Sequence, residues 1–245
     1  MNVDLLPSVT PFVESGAWAD ALFGGRGSGK TRAGLDKAML YCINHPGARG
    51  LVTEPTYKRI RDILFPMIKS PACGHCGADG WGQMLKGERN SQGRFDLFES
   101  PDNPRVEWDN GSGFIMRPAS VPGSARGPEF AFVWMDESAD DEEGSQEPMF
   151  LTATPALRQS GHQHQFWTTT TPRASAAWLR REFIESPQAD VVYWYAHMDE
   201  NPHTPLKSKE RTRAIYGETR WARQELEGHW VNAEGMGFDT FSPMS

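Results

Sequence analysis

The tightest constraint on this chain is eight residues long, Gly24-Gly25-Arg26-Gly27-Ser28-Gly29-Lys30-Thr31. Its glycines permit a backbone turn that side chains would block, with main-chain N–H groups aimed into the concave side. A strand-like run at 18–23 enters the turn, and a stretch from about 30 to 42, with Ala, Leu and Met spaced along it, leaves as a helix. Strand, glycine loop and helix N-terminus together make the phosphate-binding P-loop pattern, far more specific than the letters alone. In that pattern Gly24, Gly25, Arg26, Gly27, Ser28 and Gly29 surround a polyphosphate. Lys30 neutralises its β and γ groups, and Thr31 sets its hydroxyl on Mg²⁺. The expected cofactors are ATP and Mg²⁺.

The flanking sequence reads as an α/β sheet. Asn44-His45-Pro46-Gly47 stops the first helix, 50–53 reads as a short buried strand, and 57–68 as an amphipathic helix interrupted at Pro66. The near-alternating segment 106–117 turns at Asn110-Gly111, which predicts a β-hairpin. Unbroken apolar or β-branched runs at 130–135 and 166–170 fit buried central strands whose C-terminal ends carry function. Beyond Pro172 the chain is richer in charge and helix formers. The expected division is a P-loop core at 1–172, a lid subdomain at 173–235 and the start of a linker at 236–245.

The run 130–135 ends in Asp136-Glu137. A P-loop nucleotidase needs a carboxylate at the tip of a neighbouring strand to hold the Mg²⁺ shell, and Asp136 suits that position. Glu137, one residue on, is aimed to orient and deprotonate an attacking water. Two acids opening a solvated acidic loop is the competing reading, since Asp140, Asp141, Glu142 and Glu143 follow. Arg126 and Arg26 compete as the arginine that stabilises charge on the transferred phosphoryl group. Thr168-Thr169-Thr170-Thr171-Pro172 ends the next strand, with hydroxyls suited to sensing a γ-phosphate or simply a β-rich strand stopped by Pro. Cys73-Gly74-His75-Cys76 favours a reduced loop pair, with half a zinc site as the alternative.

Composition bears on partners and compartment. A chain of 245 residues with 38% hydrophobic and 11% aromatic residues is too apolar for disorder. It has neither a secretion signal pattern nor an 18-residue apolar run, and three cysteines suit a reducing compartment. A net charge of -7 argues against binding nucleic acid, but 136–147 alone holds seven acids and no base, so the rest of the chain is neutral. Basic residues gather at Lys58, Arg59 and Arg61, and again between Lys207 and Arg223.

The order of these motifs resembles the ATPase domain of large terminase subunits, the DNA-packaging motors of tailed bacteriophages. The carriers are the P-loop at 24–31, the hairpin at 106–112, Arg126-Gly127, Phe132 to Glu137, Leu157-Arg158, the threonine run, and Arg223-Gln-Glu225-Leu-Glu-Gly228-His-Trp230. The resemblance implies a P-loop NTPase of the additional-strand catalytic glutamate type, with a mostly parallel sheet flanked by helices and a C-terminal lid. It implies that Arg126 acts in trans on a neighbour's nucleotide, that Arg26 is the early P-loop arginine, and that Thr169 and Thr170 couple hydrolysis to movement. Implied partners are double-stranded DNA, a portal protein, a small terminase subunit and further copies in a ring. The setting is the host cytoplasm, with no membrane. The family's upstream adenine-contacting glutamine has no counterpart, since 1–20 contains no Gln. The family's nuclease domain is likewise not expected in this chain. Two other functions share these motifs: a helicase-like or repair NTPase, and a nucleotide-gated assembly module with little hydrolysis.

Overall fold

The computed structural model describes residues 5–71, 80–87, 94–140, 144–185, 187–217 and 219–231. Among these, eight strands form one sheet: β1 Ala19–Gly24, β2 Arg49–Glu54, β3 Phe95–Phe98, β4 Arg105–Trp108, β5 Gly113–Pro118, β6 Phe132–Asp136, β7 Gln165–Thr170 and β8 Val191–Ala196. Their lateral order is β3-β4-β5-β2-β6-β7-β1-β8. From β5 to β8 every neighbouring pair is parallel, and antiparallel pairing is confined to β3-β4 and β4-β5. The hairpin expected around Asn110-Gly111 is β4-β5, with Gly111 at φ 80° in its turn.

The helices are α1 Thr10–Glu14, α2 Lys30–Asn44, α3 Tyr57–Arg59, α4 Phe65–Lys69, α5 Gln146–Ala153, α6 Ala177–Arg180, α7 Leu206–Tyr216 and α8 Arg220–Glu227. Side chains alternate between the two faces of the sheet, and helices cover both. Leu22, Phe132, Trp134 and Trp167 enter the core beneath α2. Ala21, Phe23, Val133, Met135 and Phe166 enter the opposite core with Met149 of α5 and Leu179 of α6. That double cover explains why the central strands are continuous apolar runs rather than alternating ones.

Two expectations are corrected here. Pro66 does not interrupt its helix: α3 runs into α4 through a π-helical turn, Ile60–Leu64, and the Phe65 N–H reaches the Ile60 carbonyl. The wide turn ahead of Pro66 accommodates a residue that has no N–H to donate. The boundary at Pro172 also does not follow the sheet, because β8, inside the expected 173–235 lid, pairs along its whole length with β1. Its half-buried Val191, Val192, Tyr193, Trp194 and Tyr195 are β-branched or aromatic residues that suit an edge strand, a preference masked by the charge around them. The Cys73–Cys76 pair and the linker at 236–245 lie outside the described residues. No helix of the described residues is long and apolar enough to cross a membrane.

Candidate functional site

The P-loop joins the end of β1 to the start of α2. Gly27 (φ 73°) and Gly29 (φ 90°) both occupy the left-handed region, where a side chain would be strained, and Gly29 is the N-cap of α2. A Cβ on Gly24 would stand 2.5 Å from Ser28 Oγ. This backbone is built for close approach. It places Lys30 and Thr31 in the first turn of α2, where the helix dipole favours an anion.

The sheet brings the predicted acids to the same point. Asp136 ends β6 and is fully buried, with Oδ1 accepting from the Thr169 hydroxyl at 2.5 Å. The Thr31 hydroxyl, in the first turn of α2, favours the charged form of this carboxyl, and Oδ2 has no hydrogen-bond partner among the described residues. Burial, then the charge of Glu137, pushes the Asp136 carboxyl up to about 6, against the pull of Thr169, Lys30 and Thr31. A buried carboxylate with one oxygen unsatisfied, beside a threonine hydroxyl, is a hard-oxygen donor set that suits Mg²⁺ carried by a phosphate.

Glu137 turns away from the strand at φ 49°, an unusual backbone for a residue with a side chain, held by its N–H donating to the Thr169 carbonyl at 2.7 Å. Its Oε1 lies 3.0 Å from Lys30 Nζ. Burial alone would raise the Glu137 carboxyl. The charge and hydrogen bond of Lys30, with Arg59 and the Thr171 N–H, outweigh burial and hold it below the usual range.

In the sequence Arg59 stands as one of a basic cluster with Lys58 and Arg61. In the structure it bridges the acids: Nε donates to Glu54 Oε2 at 3.0 Å, while Nη2 lies 3.9 Å from Glu137 and Nη1 3.7 Å from Asp140. Glu54 ends β2, is fully buried, and contacts Asp136. Burial and then the Asp136 charge hold the Glu54 carboxyl well above the usual range, against Arg59. The available signal was an acid closing an apolar strand five residues before an arginine. Arg173 adds a contact to Asp140 at 3.3 Å. Arg26, Lys30, Arg59, Glu137, Asp140 and Arg173 together line a cleft of about 350 Å³.

The threonine run stitches this cleft together. Thr169 donates to Asp136 and accepts from Trp134 Nε1 at 2.8 Å. Thr170 accepts from the Ala139 N–H at 2.9 Å, and Thr171 donates to the Gly24 carbonyl at 2.9 Å. The two arginine candidates part company. Arg26 stays at the cleft, with Nε on Glu225 at 3.0 Å. Arg126 is exposed on a separate groove of about 300 Å³ with Leu151, Pro155 and Arg158. Among the described residues, the Arg126 side chain has no hydrogen bond or ion pair.

With β7 inserted between the P-loop strand β1 and the Asp-Glu strand β6, the fold is that of a P-loop NTPase of the additional-strand catalytic glutamate type. Within that class the chain belongs to the family "Terminase large subunit, T4likevirus-type, N-terminal", whose model matches residues 21–242. The large terminase of a thermophilic bacteriophage superposes with a TM-score of 0.68 at 16% identity, over 92% of this chain and 52% of that one. The large terminase of bacteriophage HK97 gives 0.62 at 11% identity, over 92% and 50%. The ATPase domain of the Thermus phage P74-26 large terminase gives 0.54 at 18% identity, over 87% and 88%. The chain thus spans about half the length of the longer terminases it matches. No curated protein matches it.

Proposed function

We propose that this chain is the ATP-hydrolysing part of a viral DNA-packaging motor, which couples hydrolysis of Mg-ATP to movement of double-stranded DNA into a procapsid. The observation that carries the reading is the convergence of Lys30, Thr31, Asp136 and Glu137 at the head of α2, with Lys30 and Glu137 lining the cleft there. Family membership and the thermophilic-phage terminase solved with ADP and with ATP-gamma-S support it. The P-loop N–H groups and Lys30 would bind the phosphates, and Thr31 and Asp136 would hold Mg²⁺. The cation would neutralise phosphate charge as the γ-phosphoryl group departs. In the chain alone Lys30 is paired with Glu137. When Lys30 turns to phosphate, Glu137 loses its strongest counter-charge and becomes a better proton acceptor for an attacking water. Thr169 and Thr170, bonded to Asp136 and to the Ala139 N–H, would pass the state of the cleft to β7. Arg126, outside its own cleft and unpartnered, would complete a neighbour's site in a ring. The portal protein, small terminase subunit and host cytoplasm follow from the family role.

The test is the ATPase rate per protomer across a wide concentration range for wild type, Glu137→Gln and Arg126→Ala. A rate that rises with concentration, is lost in both variants and returns when the two are mixed supports the shared-site motor, since each variant supplies what the other lacks. A concentration-independent rate that Arg126→Ala leaves intact sinks the trans assignment. A Glu137→Gln rate equal to wild type sinks the hydrolytic one.

A further inference from the structure

Arg26, Lys30, Arg59 and Arg173 are the cations that line the cleft above the P-loop. The P-loop pattern gives Lys30 its task, and two of the others are held by acids. Arg26 Nε lies 3.0 Å from Glu225, and Arg59 Nε donates to the buried Glu54 at 3.0 Å. Arg173 is held least. Among the described residues its ion pair runs from Nη1 to Asp140 Oδ1 at 3.3 Å, with both side chains partly open to solvent, and Asp140 is shared with Arg59 at 3.7 Å. A pair of this length and exposure contributes little to stability, so the guanidinium can change partner at small cost.

The backbone that carries Arg173 is, by contrast, fixed on both sides. Before it, Thr171 donates its hydroxyl to the Gly24 carbonyl at 2.9 Å and its N–H to the Glu137 carboxylate. The end of β7 is thus tied at once to the phosphate loop and to the acid beside Lys30. Pro172 restricts the next backbone angle, and Arg173 follows in extended conformation at φ -139°, ψ 143°. After it, Ala176, Trp178 and Leu179 are buried in the core of that sheet face. A loosely paired cation on a firmly held backbone, in the cleft shared by Lys30 and Glu137, is suited to meet an anion that comes and goes.

We propose that Arg173 binds the γ-phosphate of the chain's own nucleotide, leaving Asp140 when a triphosphate enters, and so lets the cleft tell ATP from ADP. The proposal rests on the nucleotide-binding reading above. A terminal phosphate offers several oxygens to the planar guanidinium fork, and its charge exceeds that of a carboxylate divided between two arginines. A diphosphate lacks that group and leaves Arg173 on its resting partner. The role differs from that of Arg126, which lies on a separate groove.

The experiment is calorimetric binding of ATP-gamma-S and of ADP, each with Mg²⁺, at concentrations where the chain is monomeric. The proteins are wild type, Arg173→Ala, Arg173→Gln, Asp140→Asn and the double variant Arg173→Ala with Asp140→Asn. Loss of Arg173 should weaken ATP-gamma-S by about tenfold or more and change ADP by less than about threefold. Asp140→Asn should act in the opposite sense, tightening ATP-gamma-S by removing the resting partner, and the double variant should bind as weakly as Arg173→Ala. Equal losses for the two nucleotides overturn the proposal and make Arg173 a support of the loop. An Asp140→Asn affinity equal to wild type, or a tightening that persists in the double variant, overturns the exchange of partners. A loss seen only where copies associate assigns Arg173 to a neighbour's nucleotide and also overturns it. Arg173→Gln carries the test if Arg173→Ala does not fold. Failure of wild type to bind ATP-gamma-S would instead remove the nucleotide reading itself.

Discussion

Replacing Asp136 by asparagine should stabilise the nucleotide-free protein while, on the proposed function, abolishing ATP turnover, and the size of the stability effect follows from the site. Asp136 is fully buried, and its carboxyl sits at about 6 against an ordinary value near 4. The folded state therefore holds this proton more tightly than the unfolded chain does, so stability falls as pH rises. The penalty is nearly absent below the unfolded value and complete above about pH 6. Two pKa units correspond to about 3 kcal/mol at pH 8, shrinking to about 1.5 kcal/mol at pH 5. An asparagine keeps an oxygen for the Thr169 hydroxyl and offers N–H groups toward Glu54, whose Oε1 lacks a partner. Urea unfolding of both proteins at pH 5 and pH 8, without nucleotide or metal, measures the gap. A variant no more stable than wild type at pH 8, or a gap that does not widen with pH, refutes the claim that Asp136 is held at a cost for function.

Three further outcomes are expected. Thr169→Val removes the donor to Asp136 and leaves the buried Trp134 Nε1 unpaired, which should cost about 1–3 kcal/mol in chemical denaturation; an unchanged midpoint would show that the site relaxes. Lys37 lies buried, with Nζ 2.7 Å from Asp20 and bonded to the Phe12 and Ser15 carbonyls. Lys37→Met should therefore cost about 3–5 kcal/mol, and the added Asp20→Asn should return part of it, as read by thermal unfolding. Gly34→Ala would bring a methyl within 2.4 Å of the Trp134 ring where α2 crosses the sheet, so a loss of about 1–3 kcal/mol should appear with a shift in tryptophan fluorescence.

The seam between the P-loop and α8 affects how such variants are interpreted. A Cβ on Gly25 would meet the Leu226 carbonyl of α8, so on the proposed nucleotide-binding reading a change there would disturb phosphate binding and α8 packing together.

Much of this protein was legible in one dimension because the decisive features are local. The turn at 24–31 needs glycine at particular backbone angles, the helix after it follows from side-chain periodicity, and Asp136-Glu137 closes a run too apolar to lie anywhere but in a covered sheet. The β4-β5 hairpin is equally local, since Asn110-Gly111 is a turn dipeptide between alternating residues. Strand order is different, because nothing in the period of β7 or β8 says which strand lies beside it. Only packing on both faces sets β7 between β1 and β6, and draws β8 out of the expected lid onto β1. The same holds for Arg59, which reaches Glu54, Glu137 and Asp140 because three elements end at one edge, and for Arg26, whose partner lies 199 residues away. Short-range geometry dictates which groups can do the chemistry, whereas the company they keep is decided by contacts between distant segments, whose free energy exists only once the chain has folded.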